Sequence, residues 1–500
     1  MNWFIRNALV VNIFALVAAF SWIHGGTRPD HLMKVIPWLT FFALQVLIVF
    51  PQAKSTEDLI EARRRVWRSL RCDPLTWIAL VFFVVLLIPL FNVAGAPVFD
   101  EAAQRWINPD PAKFITWLPS CVKPDQHAVL LLWFPPALTA ALGARHGLLK
   151  RGKRLLLEMT CWNGAVLAVV GFAQVWSGTK SLLWFVPLES HFFSTFGYPN
   201  FAGAFFTLVF ALSAGLWAFD ATLFMQSEQV ATLQSEKNVF VKHRMFLVAV
   251  LTFFAALATL SRAAILLSVA VAFTFSIYML LFVWNRISQG ARVKLFALVF
   301  AVLAVLTVSL MAFKFSAFKN ELGTISPDAI VKRVTGVGYY HVRVAKEIHD
   351  DHQLFGVGGW GYPHYQMQYM TPGDLKRMQI KGGINVHNDA RQFLAEQGYV
   401  GFGLMLACFF FLAGPLWVSV YKLIRNSFKI ARVDTDNNSP AGHWFYCIPP
   451  PLVAVFIGTT ATIVHSTGDL PFRNPAVLIV WVLAFTCVPG WIPLLKGKRR

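Results

Sequence analysis

The chain has 500 residues, of which 56% are hydrophobic and only 14% are charged, and its formal net charge is +19. This balance excludes a soluble globular protein and predicts an integral membrane protein. The positive charge requires no nucleic-acid partner, because basic clusters such as Arg63, Arg64 and Arg65 are accounted for as topology signals that face anionic membrane lipids.

Apolar runs of about 17–22 residues recur along the chain, and each is long enough to cross a hydrocarbon core of about 30 Å. Because lipid cannot hydrogen-bond the backbone, such segments must be helices. No small-residue cleavage site follows the first run, so we interpret it as a retained helix rather than a signal peptide. The twelve predicted spans are 7–23, 35–50, 75–95, 127–144, 155–176, 199–219, 245–260, 263–283, 295–313, 399–420, 444–464 and 475–492.

The distribution of Lys and Arg predicts the orientation of these spans. If the N-terminus is cytoplasmic, the inside segments carry 26 basic residues and the short outside segments carry 8. An excess of this kind is typical of cytoplasmic loops. Both termini are therefore predicted to be cytoplasmic.

One outside loop, residues 314–398, is far longer than a simple connection and is predicted to be functional. Residues 340–354 alternate apolar and charged side chains with roughly helical spacing, and residues 356–365 form a glycine-rich turn with aromatics. Residues 388–397 are predicted to form a helix that leads into the tenth span. The chain thus divides into residues 1–313 (spans one to nine), 314–398 (the loop) and 399–500 (spans ten to twelve).

The most informative local candidate for catalysis is VHND, which places His387, Asn388 and Asp389 just ahead of the tenth span. A His side chain can accept and return a proton near neutral pH. Asp389 could orient the ring, and Asn388 could hydrogen-bond a substrate hydroxyl. The alternative is a solvated loop in which Asn388 or Asp389 caps the following helix.

A second candidate is Arg262, which stands in a very short predicted turn between the seventh and eighth spans. Its planar guanidinium suits phosphate oxygens. The alternative is an Arg that simply extends to the lipid headgroups. Arg333 and Arg343 in the large loop are individually uninformative, because basic loop residues usually remain solvated.

Two further polar clusters lie on the same predicted outer face. The alternative for both is a structural role, in which their residues only mark the start of a helix. Their position on one face with His387 and Arg262 predicts chemistry at the outer leaflet, on a substrate that carries phosphate. The polar members of these clusters are His191, Ser194, Thr195, Tyr198, Asn200, His465, Asp469 and Arg473.

Five segments resemble, in order, the O-antigen ligase and polymerase superfamily of bacterial cell envelopes. Each alone is a weak signal, but the ordered set, with the large loop between the ninth and tenth spans, is specific to the superfamily rather than to one member. The segments are FGYPNFAGAF (196–205), LSRAAIL (260–266), LFGVGGWGY (354–362), VHNDARQFLAEQGYVGFG (386–403) and VHSTGDLPF (464–472).

The resemblance implies an all-α, GT-C-like membrane glycosyltransferase in the bacterial inner membrane, with its active site on the periplasmic side. It implies a glycan donor on undecaprenyl diphosphate and, for a ligase, a sugar hydroxyl of lipid A-core as acceptor. The family's catalytic His corresponds to His387, and its Arg after the seventh span corresponds to Arg262. Its second Arg corresponds to Arg343 or Arg333, because the spacing in VTGVGYYHVRVAK departs from the usual pattern.

These residue types suit a direct displacement that inverts the anomeric carbon. His387 would take the proton of the acceptor hydroxyl, while Arg262 and a loop Arg meet the charge on the leaving diphosphate. No acidic cluster on the predicted outer face resembles a Mg²⁺ site, so we predict neither metal nor cofactor. The glycine-rich turn would let the backbone approach a sugar, on which Trp360, Tyr362 and Tyr365 could stack.

Several alternatives remain open. A glycan polymerase or a protein O-oligosaccharyltransferase shares the same motifs and differs in its acceptor. From another class, a small-anion transporter would be expected to show ionisable groups near the membrane midplane. The six cysteines are irregularly spaced, so neither a disulfide framework nor a zinc site is predicted.

Overall fold

The structure is a computed structural model, and the chain in it is mostly helical, at 77%, with little sheet, as expected for an all-α membrane protein. Predicted span 295–313 and Arg333 lie outside the residues that the structure describes. The described residues are 3–54, 56–108, 115, 117–188, 191–228, 239–284, 340–381, 385–433 and 448–491.

Two small antiparallel hairpins lie in the connections that follow α4 and α7, namely β1 (Val98–Asp100) with β2 (Arg105–Ile107) and β3 (Ser181–Leu182) with β4 (Val186–Pro187). The helices in chain order are α1 (Trp3–Trp22), α2 (Pro29–Val49), α3 (Leu59–Cys72), α4 (Pro74–Phe91), α5 (Pro124–His127), α6 (Val129–Leu142), α7 (Lys150–Ser177), α8 (Pro199–Glu228), α9 (Val239–Ala258), α10 (Arg262–Trp284), α11 (Tyr340–Asp351), α12 (Tyr362–Tyr369), α13 (Pro372–Lys381), α14 (Asp389–Val433), α15 (Pro450–Ser466) and α16 (Pro475–Trp491).

Seven helical segments among the described residues are long and apolar enough to cross a membrane. Four shorter apolar helices accompany them, and every predicted span within the described residues coincides with a helix. The seven long segments are Pro29–Val49, Pro74–Phe91, Pro124–Gly147, Lys150–Ser177, Pro199–Ala221, Arg262–Phe282 and Asp389–Arg425. The four shorter ones are Asn7–Trp22, His243–Ala258, Pro450–Ser466 and Pro475–Gly490.

Local capping explains where several helices begin and end. The Asp58 side chain accepts a hydrogen bond of 2.7 Å from the backbone N–H of Glu61 and so caps α3. Asp73 caps α4 in the same way, and Pro74 follows it at the first helical position, where a missing N–H costs nothing. Helix α7 ends at Gly178, whose φ of +64° is the left-handed conformation that commonly stops a helix.

Helix α8 lies at the centre of the bundle, and 89% of its most apolar stretch is buried. It packs in parallel against α10, because Thr207 and Ser268 share a hydrogen bond of 2.7 Å and Gly203 faces Ala264 one turn earlier. A Cβ on Gly203 would lie only 2.3 Å from the Cβ of Ala264. The glycine therefore permits the close approach that sets the beginnings of α8 and α10 side by side.

Helix α14 starts with a short arm, residues 389–397, which Gly398 separates from the long remainder with φ +58° and ψ −167°. The break frees backbone groups, and the N–H of Tyr399 donates instead to the carbonyl of Gln353 at 2.7 Å. A Cβ on Gly398 would lie 2.4 Å from the backbone of Leu354, so a side chain does not fit there. The arm is thus fixed to the segment that carries α11–α13.

Three connections that are distant in the sequence meet at one end of the bundle. The Asn388 side chain donates to the carbonyl of Thr467 at 2.8 Å, and the Tyr198 hydroxyl donates to the carboxylate of Asp469 at 3.0 Å. We call this region the site end, and it is formed by residues 191–200, 385–389 and 465–474.

Candidate active site

His387 stands immediately before the arm of α14 with φ +53°, a conformation that is rare for a residue with a side chain. Asn388 fixes this geometry, because its side chain accepts from the N–H of Arg391 at 2.9 Å while donating to Thr467. Asn388 is therefore the N-cap of α14, as the structural alternative predicted. The neighbouring His387 side chain remains 44% exposed and available to a substrate.

The carboxylate that faces His387 belongs to Asp469. Nδ1 of the ring lies 3.5 Å from Oδ1 of Asp469, a long contact, and the Asp469 side chain is only 3% exposed. The carboxylate also accepts hydrogen bonds from Tyr198, Asn200 and the N–H of Leu470. These partners hold the Asp469 carboxylate in place. Because the carboxylate faces Nδ1 of His387, Nε2 is the nitrogen that can accept a proton.

Asp469 is held in its charged form by its neighbours. Burial by itself raises the pKa of this carboxyl, but the hydrogen bond with His387 and the charges of His465 and His387 outweigh it. The net result is a pKa below the ordinary 3.8. A charged, buried carboxylate behind the ring is suited to stabilise an imidazolium that forms when His387 takes a proton.

Asp389 does not orient the His387 ring, contrary to the expectation from VHND. Its side chain is buried and accepts a hydrogen bond of 2.9 Å from the N–H of Phe472. His387 lies before the helix with φ +53° and Asp389 is the first helical residue, and their side chains have different partners. Asp389 consequently ties the arm of α14 to the turn before α16, and Asp469 occupies the position predicted for it.

A buried polar network supports the backbone that carries His387. The side chain of Gln392 accepts from the N–H of Val386 at 2.9 Å and donates to Glu396 at 3.0 Å. Glu396 in turn pairs with Arg473 at 2.5 Å, and the Arg473 guanidinium lies 4.7 Å from the centre of the Trp360 ring. Gln392 and Glu396 were missed in the sequence, although residues four apart are neighbours on one helix face and two polar ones there can form a buried network.

His341 of α11 is a second ring near the site. Its centroid lies 6.5 Å from that of His387, and its Nδ1 lies 3.1 Å from the Tyr362 hydroxyl. Burial and the charge of His387 lower the pKa of His341 to about 4. His341 is therefore neutral near pH 7 and adds no positive charge beside His387.

The predicted phosphate-binding Arg residues have different surroundings. Arg262 is exposed at the first position of α10, and the parallel packing of α8 and α10 places it level with the first turn of α8. Arg343 pairs with Glu347 at 2.7 Å and with Asp374 at 2.6 Å, so two carboxylates occupy its guanidinium.

The aromatic residues of the glycine-rich turn do not form an open platform. Tyr362 and Tyr365 are buried in the small core of the α11–α13 segment, at 0% and 6% exposure. Trp360 packs against Trp133 with its ring near Arg473. The turn itself approaches other backbone closely, since a Cβ on Gly358 would lie 2.5 Å from the carbonyl of Ser120. The expected stacking of these three rings on a sugar is therefore not supported.

An apolar cavity of about 250 Å³ lies directly beside this site. Its walls come from α4, α6, the long part of α14 and α16, and include Phe82, Trp133, Phe402 and Trp481. Its polar groups are few and belong mainly to Asp389, Ser466 and Arg473. A dry cavity of about 150 Å³ already accommodates benzene, so this one suits part of a hydrocarbon chain whose polar head lies near His387.

Within the described ranges, no group of three or more His, Cys, Asp or Glu side chains is placed to hold a metal ion. The described cysteines Cys72, Cys121, Cys161, Cys408 and Cys487 are all free, and Cys447 lies outside these ranges. A scan against protein-family models finds no match, and a search of curated proteins finds no significant match.

Proposed function

We propose that this protein is a membrane glycosyltransferase that moves a glycan from a polyprenyl diphosphate to a sugar hydroxyl. The observation that carries the proposal is an exposed His387 backed by the buried Asp469 carboxylate, at the start of a long apolar helix and beside an apolar cavity. A base in this position matches a substrate whose reactive bond lies just above the membrane because its tail lies within it.

The proposed reaction is a single displacement. The acceptor hydroxyl gives its proton to Nε2 of His387 as its oxygen bonds to the anomeric carbon, and the bond from that carbon to the diphosphate breaks. Attack opposite the leaving group inverts the configuration. The Asp469 carboxylate stabilises the imidazolium, and Arg262 stabilises the charge on the departing diphosphate.

The apolar cavity supports a lipid-linked donor. Its polar end, formed by Asp389 and Arg473, lies within a few residues of His387 and Asp469 in the chain, and its walls run along the α14 helix. Isoprene units next to the diphosphate would fill it and position the anomeric carbon over the base. The remaining tail would extend into lipid.

Among such enzymes, we favour an O-antigen ligase, with undecaprenyl diphosphate as the carrier and lipid A-core as the acceptor. The support is the ordered set of five segments, three of which supply Tyr198, His387 and Asp469 to one site. In this proposal the protein has twelve spans in the bacterial inner membrane, both termini cytoplasmic and the site end periplasmic. Polymerase and protein O-oligosaccharyltransferase activities remain the alternatives that differ only in acceptor.

A small-anion transporter is the more distant alternative. Polar side chains of the candidate site gather at one end of the bundle, where the His387, Asp469 and Tyr198 contacts lie. Transport predicts instead a binding site near the middle of paired, broken helices. The glycosyltransferase proposal accounts for the position of His387 more directly.

The decisive experiment is transfer by the purified protein in excess EDTA. Undecaprenyl-diphosphate glycan would be supplied with lipid A-core, with unmodified donor as a growing-chain acceptor, or with an acceptor protein. Glycosylated lipid A-core as the main product supports the ligase, whereas elongated donor or glycosylated protein would establish an alternative. Absence of transfer to all three acceptors both in EDTA and after addition of Mg²⁺ or Mn²⁺ would contradict the enzyme proposal, whereas transfer only after these ions are added would contradict metal independence.

A further inference from the structure

Helix α3 lies at the opposite end of the bundle from His387. Helix α2 begins at the site end, where the Asn474 side chain donates to the carbonyl of Gly25 at 2.5 Å just before it. Its 21 residues carry the chain about 31 Å away. Helix α3 follows, and α4 begins at Pro74 directly after it. Since α2 and α4 are both long and apolar enough to cross a membrane, α3 lies at the level where they meet the lipid headgroups.

One face of α3 is fixed to the bundle. Ala62, Val66 and Leu70 recur every fourth residue and are buried. Arg65, at the edge of this face, donates to the carbonyl of Gln52 at 2.7 Å. This hydrogen bond also holds α3 against the bundle. Helix α3 therefore presents a defined opposite face rather than rotating freely.

That opposite face combines apolar and basic side chains. Ile60 and Trp67 are 57% and 49% exposed and lie on one edge of it. Arg64, Arg68 and Arg71 are exposed beside them, and the Arg71 guanidinium lies 4.9 Å from the centre of the Trp67 ring. An apolar edge next to a basic edge is the pattern of a helix that lies in a membrane interface.

An aromatic residue of the neighbouring helix α4 lies at the same height along the bundle as the end of α3. Trp77 of α4 is 54% exposed, and its indole N–H donates to the carbonyl of Arg71 at 2.9 Å. Trp side chains concentrate where hydrocarbon meets headgroups. The contact with Trp77 therefore sets the basic edge of α3 at the level expected for the headgroups.

The acidic residues around α3 do not neutralise this edge. Glu57 pairs with Arg65 at 2.9 Å, and Asp58 caps the helix. Glu61 lies in the first turn, where its charge offsets the helix dipole. Among the described residues, no carboxylate lies within ion-pair distance of the three exposed Arg side chains, Arg64, Arg68 and Arg71.

We propose that this face of α3, formed by Ile60, Arg64, Trp67, Arg68 and Arg71, binds the headgroups of anionic phospholipids. Ile60 and Trp67 insert among the acyl chains while the guanidinium groups hold lipid phosphates in bidentate hydrogen bonds. The inference depends on the membrane character of α2 and α4 and not on the reaction at His387. Each Arg near an anionic surface adds about fivefold to lipid association.

The test is native mass spectrometry of the full chain in neutral detergent, titrated separately with phosphatidylglycerol and phosphatidylcholine. We expect wild type to bind phosphatidylglycerol more tightly, and Arg64→Gln/Arg68→Gln to weaken that binding by roughly 30-fold. The matched control is Lys346→Gln/Lys376→Gln, which removes the same charge from exposed positions of α11 and α13. It should bind as wild type does.

A single Arg68→Gln variant should lose about fivefold and provides an independent measurement if the double variant is unstable. Unchanged phosphatidylglycerol binding in the α3 variants would overturn the proposal. An equal loss in the Lys346→Gln/Lys376→Gln control would also overturn it, because the effect would then follow net charge rather than the α3 surface.

Discussion

The ring of His387 faces the buried carboxylate of Asp469, with 3.5 Å between Nδ1 and Oδ1. Tyr198 holds the other side of that carboxylate from the beginning of α8. One acid thus joins three separate connections of the chain. The predictions for catalysis depend on this relationship.

His387→Ala should lower turnover by about 10²–10⁴-fold, the usual cost of removing a general base. Donor binding should remain near wild type, because the base contacts the acceptor proton and not the diphosphate. Single-turnover transfer and donor binding would be measured separately, with His31→Ala, an exposed His at the same end, as the control. A folded His387→Ala protein with normal turnover would show that VHND has only a structural role.

Asp469→Asn should slow transfer by roughly 10²–10⁴-fold even with its shape preserved, because the amide cannot stabilise an imidazolium. The effect should require His387. The double variant His387→Ala/Asp469→Asn is therefore expected to be no slower than His387→Ala alone. Additive losses in this cycle would show that Asp469 acts independently of the ring, and Asp30→Asn is the exposed control.

Arg262→Ala should weaken donor binding as well as the rate, since the guanidinium would contact the diphosphate before and during departure. Arg262→Lys should restore only part of the binding, because a point charge cannot reproduce a planar pair of donors. Binding of undecaprenyl diphosphate would be measured by calorimetry, with Arg28→Ala at an exposed position as the comparison. Wild-type affinity in Arg262→Ala would remove this residue from the proposed site.

Breaking the buried Glu396–Arg473 pair on one side should cost about 3–5 kcal/mol of stability, because it leaves an uncompensated charge. Arg473→Met and Glu396→Gln should each lower the melting temperature. The double variant Glu396→Gln/Arg473→Met should recover much of the loss, since neither charge remains. If the double variant is as unstable as the sum of the single changes, the pair does not interact as the 2.5 Å contact indicates.

Acidification should destabilise the protein through His341. Its folded-state pKa of about 4 lies below the ordinary 6.5, so the unfolded chain binds a proton that the folded ring excludes. Stability is therefore lost progressively as pH falls from about 6.5 to about 4. His341→Gln should flatten the melting temperature over that range relative to wild type, whereas a parallel decline in both proteins would assign the effect to other groups.

The sequence by itself determined the helical segments and the polar clusters. Continuous apolar runs specify helices locally, because backbone hydrogen bonds close within each segment. The helix leading into the tenth span was predicted at residues 388–397 and is observed from Asp389. Asn388 was likewise foreseen as a possible cap, since N-caps depend only on neighbouring residues.

The tertiary structure alone decided which of these groups meet. Asp469 rather than Asp389 faces His387 because the arm of α14 turns Asp389 inward toward Phe472. Arg343 pairs with Glu347 one turn along the same helix, but its second partner, Asp374 of α13, is brought to it only by the fold. Such contacts join residues far apart in the chain, and they depend on helix packing that no local pattern encodes.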